Sequence, residues 1–114
     1  MEVFEITGDA LPEEIESSTA AMIDFYADWC GPCKMMAPTV EAMAKENKTG
    51  AFICKCNVDN NPEIASAYGV MSIPTLVILK NGEEYQRMVG VQKQQALEDA
   101  LSAAQSEAAG ASLD

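Results

Sequence analysis

The sequence predicts one α/β domain: a central mixed sheet of five strands flanked by four helices. Three observations predict it. Short apolar runs alternate with amphipathic stretches in the order β-α-β-α-β-α-β-β-α. The first three strands are each followed by a helix, which permits parallel crossovers and calls for cover on both faces. Asn81-Gly82 is a favoured two-residue hairpin turn, so the last two strands should pair antiparallel. A chain of 114 residues can bury one core and is too short for two domains. The domain should occupy residues 1–107, with residues 108–114 as a flexible tail of mostly small residues.

Each element has its own signal. Val3 to Ile6 suits a short first strand. Asp9 offers an N-cap to a short helix with Pro12 in its first turn and Leu11 and Ile15 on one face. Ala21 to Ala27 is apolar except for Asp24, the pattern of a central strand covered on both faces. From Lys34 to Asn47, Met35, Met36, Val40, Met43 and Ala44 mark an amphipathic helix that Pro38 should kink and Thr49-Gly50 should end. Ala51 to Val58 reads as a strand, and Asn60-Asn61-Pro62 opens a short helix that Gly69 closes. Pro74 to Leu79 and Glu84 to Val89 form the hairpin, and Gly90 breaks its second strand. The closing helix, Gln92 to Glu107, places Ala96, Leu97, Ala100, Leu101 and Ala104 on one face.

Composition narrows the function. With 18 acidic and 7 basic side chains and no histidine, the formal net charge is -11. Such a surface repels phosphates and anionic lipids, so neither nucleic acid nor membrane is an expected partner. Lack of histidine leaves proton transfer to carboxylates, thiols, Lys or Tyr. The start Met1-Glu2-Val3-Phe4-Glu5 carries no signal-peptide pattern, and no apolar run approaches the ~20 residues that span a bilayer. A cytoplasmic monomer is the expectation. Four cysteines in a reducing compartment point to catalysis or metal binding before a disulfide framework.

Trp29-Cys30-Gly31-Pro32-Cys33-Lys34 is the stretch with chemistry in it. Its two cysteines lie between a buried strand and a helix. Free N–H groups and the positive end of the helix dipole favour a thiolate there. Pro32 lacks an N–H and has a fixed φ, which suits a first helical turn, and Gly31 lets another chain come close.

The run from Asp24 through Lys34, followed by Met36-Ala37-Pro38, resembles the active-site segment of the thioredoxin family. Lys55-Cys56-Asn57-Val58-Asp59-Asn60-Asn61-Pro62 is similar to that family's third strand and turn. Tyr68 to Leu76 is similar to its cis-proline segment, and Lys80-Asn81-Gly82-Glu83 and Val89-Gly90-Val91 complete the likeness. It covers residues 1 to about 107 and implies the thioredoxin fold. Tyr26 departs from the Trp that many members carry.

The resemblance implies a protein-disulfide reductase. Cys30, at an exposed junction, would attack a substrate disulfide, and Cys33, more buried, would resolve the mixed disulfide. Asp24, desolvated in its apolar strand and so raised toward neutrality, would take the proton that Cys33 loses. Lys55, in the neighbouring strand, is its expected partner. Ile73-Pro74 would be a cis bond facing the cysteines, presenting Ile73 N–H and C=O to an extended substrate. Trp29, Met71, Ile73, Val89, Gly90 and Val91 would form the apolar rim around Pro74. No bound cofactor or metal is implied. Electrons would come from a thioredoxin reductase drawing on NADPH or ferredoxin, and would pass to disulfide-containing target proteins. Cys54 and Cys56 lie outside the motif. At i,i+2 on a strand they share one face, opposite Lys55, and read as buried small hydrophobes. Two alternatives stand beside this: a structural zinc module using Cys30, Cys33, Cys54 and Cys56, and a non-catalytic scaffold.

Overall fold

A computed structural model describes residues 2–8 and 10–110, with side chains as far as Ser106. Among these residues lie five strands and four helices: β1 (Phe4–Glu5), α1 (Glu14–Ser17), β2 (Ala20–Tyr26), α2 (Gly31–Glu46), β3 (Phe52–Asn57), α3 (Pro62–Ala67), β4 (Thr75–Lys80), β5 (Glu83–Val89) and α4 (Gln94–Gly110). The sheet order is β1-β3-β2-β4-β5. β3 runs parallel to both β1 and β2, while β2–β4 and β4–β5 are antiparallel, which is the expected mixed sheet.

Side-chain alternation divides the interior into two layers. Ala20, Met22, Ile53, Leu76 and Ile78 meet Met36, Val40 and Met43 of α2 and Leu97 and Leu101 of α4. On the opposite face Ala21, Ile23, Phe25, Cys54, Cys56, Val77 and Leu79 pack with Ile15 of α1 and Ile64 and Ala65 of α3. β2 is buried on both faces because it lies in the middle of the sheet, hydrogen-bonded on both edges. That arrangement accounts for its near-continuous apolar run and isolates Asp24 within it.

Helix boundaries in α1, α2 and α4 differ from the sequence expectation. α2 begins at Gly31 rather than Lys34, since Cys30 itself caps it. It runs without a break through Pro38 and ends at Asn47, whose φ of 51° supplies the left-handed cap before Thr49-Gly50 is reached. α1 is a single turn whose capping position is Glu13; the expected cap at Asp9 lies outside the described residues. α4 continues to Gly110, so the expected tail at 108–110 is helical, and 111–114 lie outside the described residues. At the hairpin, Asn81 and Gly82 both take positive φ, 51° and 88°, as a two-residue turn between right-twisted strands requires.

Leu101 is fully buried where α4 meets the sheet, whereas Met35 on α2 is well exposed. Leu101→Ala should cost about 2–5 kcal/mol in guanidinium unfolding, and Met35→Ala should stay within about 0.5 kcal/mol of the parent.

Candidate active site

The site forms where β2 ends and α2 begins. Cys30 is the N-cap of α2, with extended backbone (φ -88°, ψ 113°), and its Sγ accepts the Cys33 N–H at 3.2 Å. A sulfur therefore occupies the place that Ser or Asp oxygens usually take at a helix start. Pro32, in the first turn, forfeits no intrahelical bond. Cys30 and Cys33 are joined as a disulfide, with Cα atoms 5.2 Å apart. Open space surrounds the position of a Cβ on Gly31, so the backbone above the pair is approachable.

One expectation is corrected here. Cys30 is no more exposed than Cys33; each has a relative accessibility of 4%. The two cysteines cluster with Ala27, against which Tyr26, Val58 and Ile73 pack, and the Cys30 sulfur lies 3.9 Å from the Ile73 carbonyl oxygen. What separates the two cysteines is helix position: Cys30 caps, and Cys33 lies inside the first turn.

Ile73–Pro74 is a cis bond, and Pro74 is buried. The Gly90 N–H donates to the Pro74 carbonyl at 2.8 Å, extending the β4–β5 ladder past its last strand residue. Gly90 has φ 93°, a conformation costly for any residue with a side chain. Trp29 is 70% exposed and Met71 97% exposed, so neither is a core residue. Trp29, Met71 and Ile73 line a shallow groove together with Val58, Val70 and Ser72. Val89 and Val91 are exposed. The sequence reading missed Val58, Val70 and Asp59. Asp59 accepts the Trp29 indole N–H at 2.8 Å, and Asp59 is itself set by a turn in which Asn57 Oδ1 accepts its backbone N–H at 2.9 Å. Asp59-Asn60-Asn61, next to a strand end, was the available signal for that turn.

Asp24 lies behind the pair. It is 3% exposed, its Oδ1 has no hydrogen-bond partner among the described residues, and it lines a small cavity with Cys33. Burial raises its carboxyl from 3.8 to about 7, Lys55 pulling it back down and Glu5 adding to the rise. Lys55 stands beside Asp24 in register, but its ion pair goes to Glu5, at 3.5 Å, not to Asp24.

Cys54 and Cys56 lie on the other face of the sheet, free and buried among apolar side chains. Burial pushes both thiols up, Cys56 to about 11, so both are held in the unreactive protonated form. Among the described residues no three His, Cys, Asp or Glu side chains converge on a point that could hold a metal ion, so the zinc alternative lacks its ligand cluster. No described helix is long and apolar enough to cross a membrane.

A capping cysteine, a second cysteine in the first helical turn and a cis-proline against them define a thiol–disulfide oxidoreductase. The Thioredoxin family profile matches residues 2–103. The chain is 44% identical to thioredoxin of Rickettsia felis over 87 residues, covering 76% of this chain and 83% of that one. It is 43% identical to thioredoxin of Staphylococcus epidermidis over 101 residues, covering 89% and 96%. The solved structure of a mutant thioredoxin from Halobacterium salinarum superposes with a TM-score of 0.84 at 40% identity, covering 91% of each chain. The chain belongs to the thioredoxin family, and its Cys30–Cys33 pair makes it a disulfide reductase.

The Asp24 carboxyl gives a pH-dependent test. Its folded value lies above its unfolded one, so the cost of burying the charge is absent below about pH 4, grows as pH rises, and is complete above about 7. Asp24→Asn should therefore be more stable than the parent by up to about 4 kcal/mol at pH 8, with the gain vanishing near pH 4, as read by denaturant unfolding at each pH.

Proposed function

We propose that this protein is a general reductase of protein disulfides in which Cys30 attacks and Cys33 resolves. The Cys30 thiolate attacks one sulfur of the substrate, forming a mixed disulfide and releasing the other sulfur as a thiolate. Cys33, deprotonated, then attacks the Cys30 sulfur. The second substrate thiolate leaves, and a Cys30–Cys33 disulfide remains. The observation that carries this order is the cap: the Cys30 sulfur accepts the Cys33 backbone N–H at the positive end of a 16-residue helix. Negative charge on that sulfur is stabilised by the helix N-terminus, which Cys33, one turn further in, enjoys less directly.

Asp24 takes the proton from Cys33. The two side chains share a cavity, and a carboxyl near 7 is matched to a base working at neutral pH. Lys55 tempers that carboxyl through its field. Gly31 and Pro32 shape the helix start. An extended substrate lies over the Ile73–Pro74 segment, with Trp29, Met71, Val89, Gly90 and Val91 as its apolar border. That places main-chain groups and an apolar border at the reactive sulfur, a combination suited to many unrelated targets.

A thioredoxin reductase, drawing on NADPH or ferredoxin, returns the pair to the dithiol. A solved structure that concerns the thiol resolving mechanism in yeast mitochondrial 1-Cys peroxiredoxin via glutathione/thioredoxin systems is similar to this chain, with a TM-score of 0.76 at 33% identity, covering 89% of this chain and 94% of that one. A peroxiredoxin-type disulfide is accordingly a suitable test target. The working unit is a cytoplasmic monomer whose domain spans residues 1–107.

Two experiments test this. Incubated with a disulfide-bonded protein, Cys33→Ser should accumulate a covalent mixed disulfide and Cys30→Ser should not; trapping by Cys30→Ser instead would reverse the order. In an assay supplied with reductase, Asp24→Asn should slow protein-disulfide reduction roughly 10–100-fold and flatten its pH dependence between about 6 and 9. Unchanged turnover across that range would remove Asp24 from the chemistry.

A further inference from the structure

We infer that Glu5 is a positioning residue of the site: it holds the Lys55 ammonium off the Asp24 carboxyl. This rests on the reading of Asp24 as the proton acceptor for Cys33.

The geometry comes from a row of side chains across three strands. β1 pairs with β3 so that Glu5 stands opposite Lys55, and β3 pairs with β2 so that Lys55 stands opposite Asp24. Partners in register share a face, so one cation lies between two acids on the α2 side of the sheet. Lys55 Nζ is 3.5 Å from Glu5 Oε1, and no described salt bridge reaches Asp24, whose Oδ1 is unpartnered.

Solvation decides which acid the lysine takes. The Glu5 and Lys55 side chains are 39% and 32% exposed, so their pair keeps much of its water. Moving the ammonium inward to Asp24 would strip it of that water. Tyr26 reinforces the outer choice. Its hydroxyl donates to both Glu5 carboxylate oxygens at 2.9 Å, and its ring lies 5.3 Å from Lys55 Nζ. One tyrosine thus grips the anion and offers its ring to the cation. It is also the residue that departs from the tryptophan common in the resemblance.

The other groups facing Asp24 leave Glu5 as the decisive one. Cys33 and Glu41 of α2 and Tyr26 of its own strand line the cavity with it, and Lys45 lies in the adjoining cleft with Glu2 and Glu41. Lys55 is the cation that shares the cavity with Asp24. With Glu5 neutral, that cation has one acid of the row left to pair with. Asp24 would then ionise at lower pH and become a weaker base toward Cys33.

The test is a double-mutant cycle on the full chain, read by 13C NMR titration of the Asp24 carboxyl in the oxidised protein. Glu5→Gln keeps the side-chain shape and an oxygen for Tyr26. It should lower the Asp24 midpoint by about one pH unit. In a Lys55→Met background the same change should lower it by less than half as much. An unchanged or raised midpoint in Glu5→Gln overturns the inference. So does an equal fall in both backgrounds, since Glu5 would then act through its own field and not through the lysine. The pH profile of protein-disulfide reduction separates this from the reading beneath it. If the Asp24 midpoint falls as expected while the rate profile stays in place, Glu5 positions Lys55 and the proton-acceptor role of Asp24 fails.

Discussion

The Cys33 N–H that ends on the Cys30 sulfur ties together everything else at the site. A helix start needs an acceptor for its first free N–H groups, and here the acceptor is a sulfur of the Cys30–Cys33 pair. The sulfur is therefore placed by the same interaction that begins α2. α2 in turn is fixed by Met36, Val40 and Met43, packed against the sheet with α4. Loss of that packing would move the sulfur as surely as a change beside it. The cis-proline segment completes the geometry from β4, the strand that pairs with β2 on its other edge. The Cys30–Cys33 pair and the cis-proline segment thus sit beside the ends of neighbouring strands of one sheet.

The same central strand sets the acid. β2 is covered on both faces, so a carboxyl on it is desolvated wherever it falls. The protein carries this cost at Asp24: Lys55, opposite it in register, offsets only part of the rise and makes its ion pair with Glu5. Such retained instability is common where a group must change its protonation state during a reaction.

Much of this was legible in the sequence. The apolar run around Asp24, the Asn81-Gly82 turn and the cysteine spacing each follow from local chemistry, and local chemistry is what a sequence displays. The face of Cys54 and Cys56 followed from strand alternation alone. What escaped were facts that depend on distant pairing. Lys55 could be placed beside Asp24, but its choice of Glu5 needed β1, a strand of two residues, to dock on the far edge of β3. Val58 and Val70 enter the groove because separate loops meet there, and no spacing announces that. The start of α2 was set three residues late because sulfur is not among the usual capping atoms. The low exposure of Cys30 comes with neighbours distant in the chain, Val58 and Ile73, which pack against its cluster.

The pleat of β3 has one further consequence. Lys55 points toward the site, while Cys54 and Cys56 on either side of it point away into the layer under α1 and α3. Cys54 Sγ–H is engaged with the Met22 carbonyl at 3.4 Å. A protein that works by exchanging sulfur bonds thus carries two more sulfurs in its core, free and buried. Burial serves as insulation: held as protonated thiols among apolar side chains, Cys54 and Cys56 stay out of the exchange that the Cys30–Cys33 pair performs.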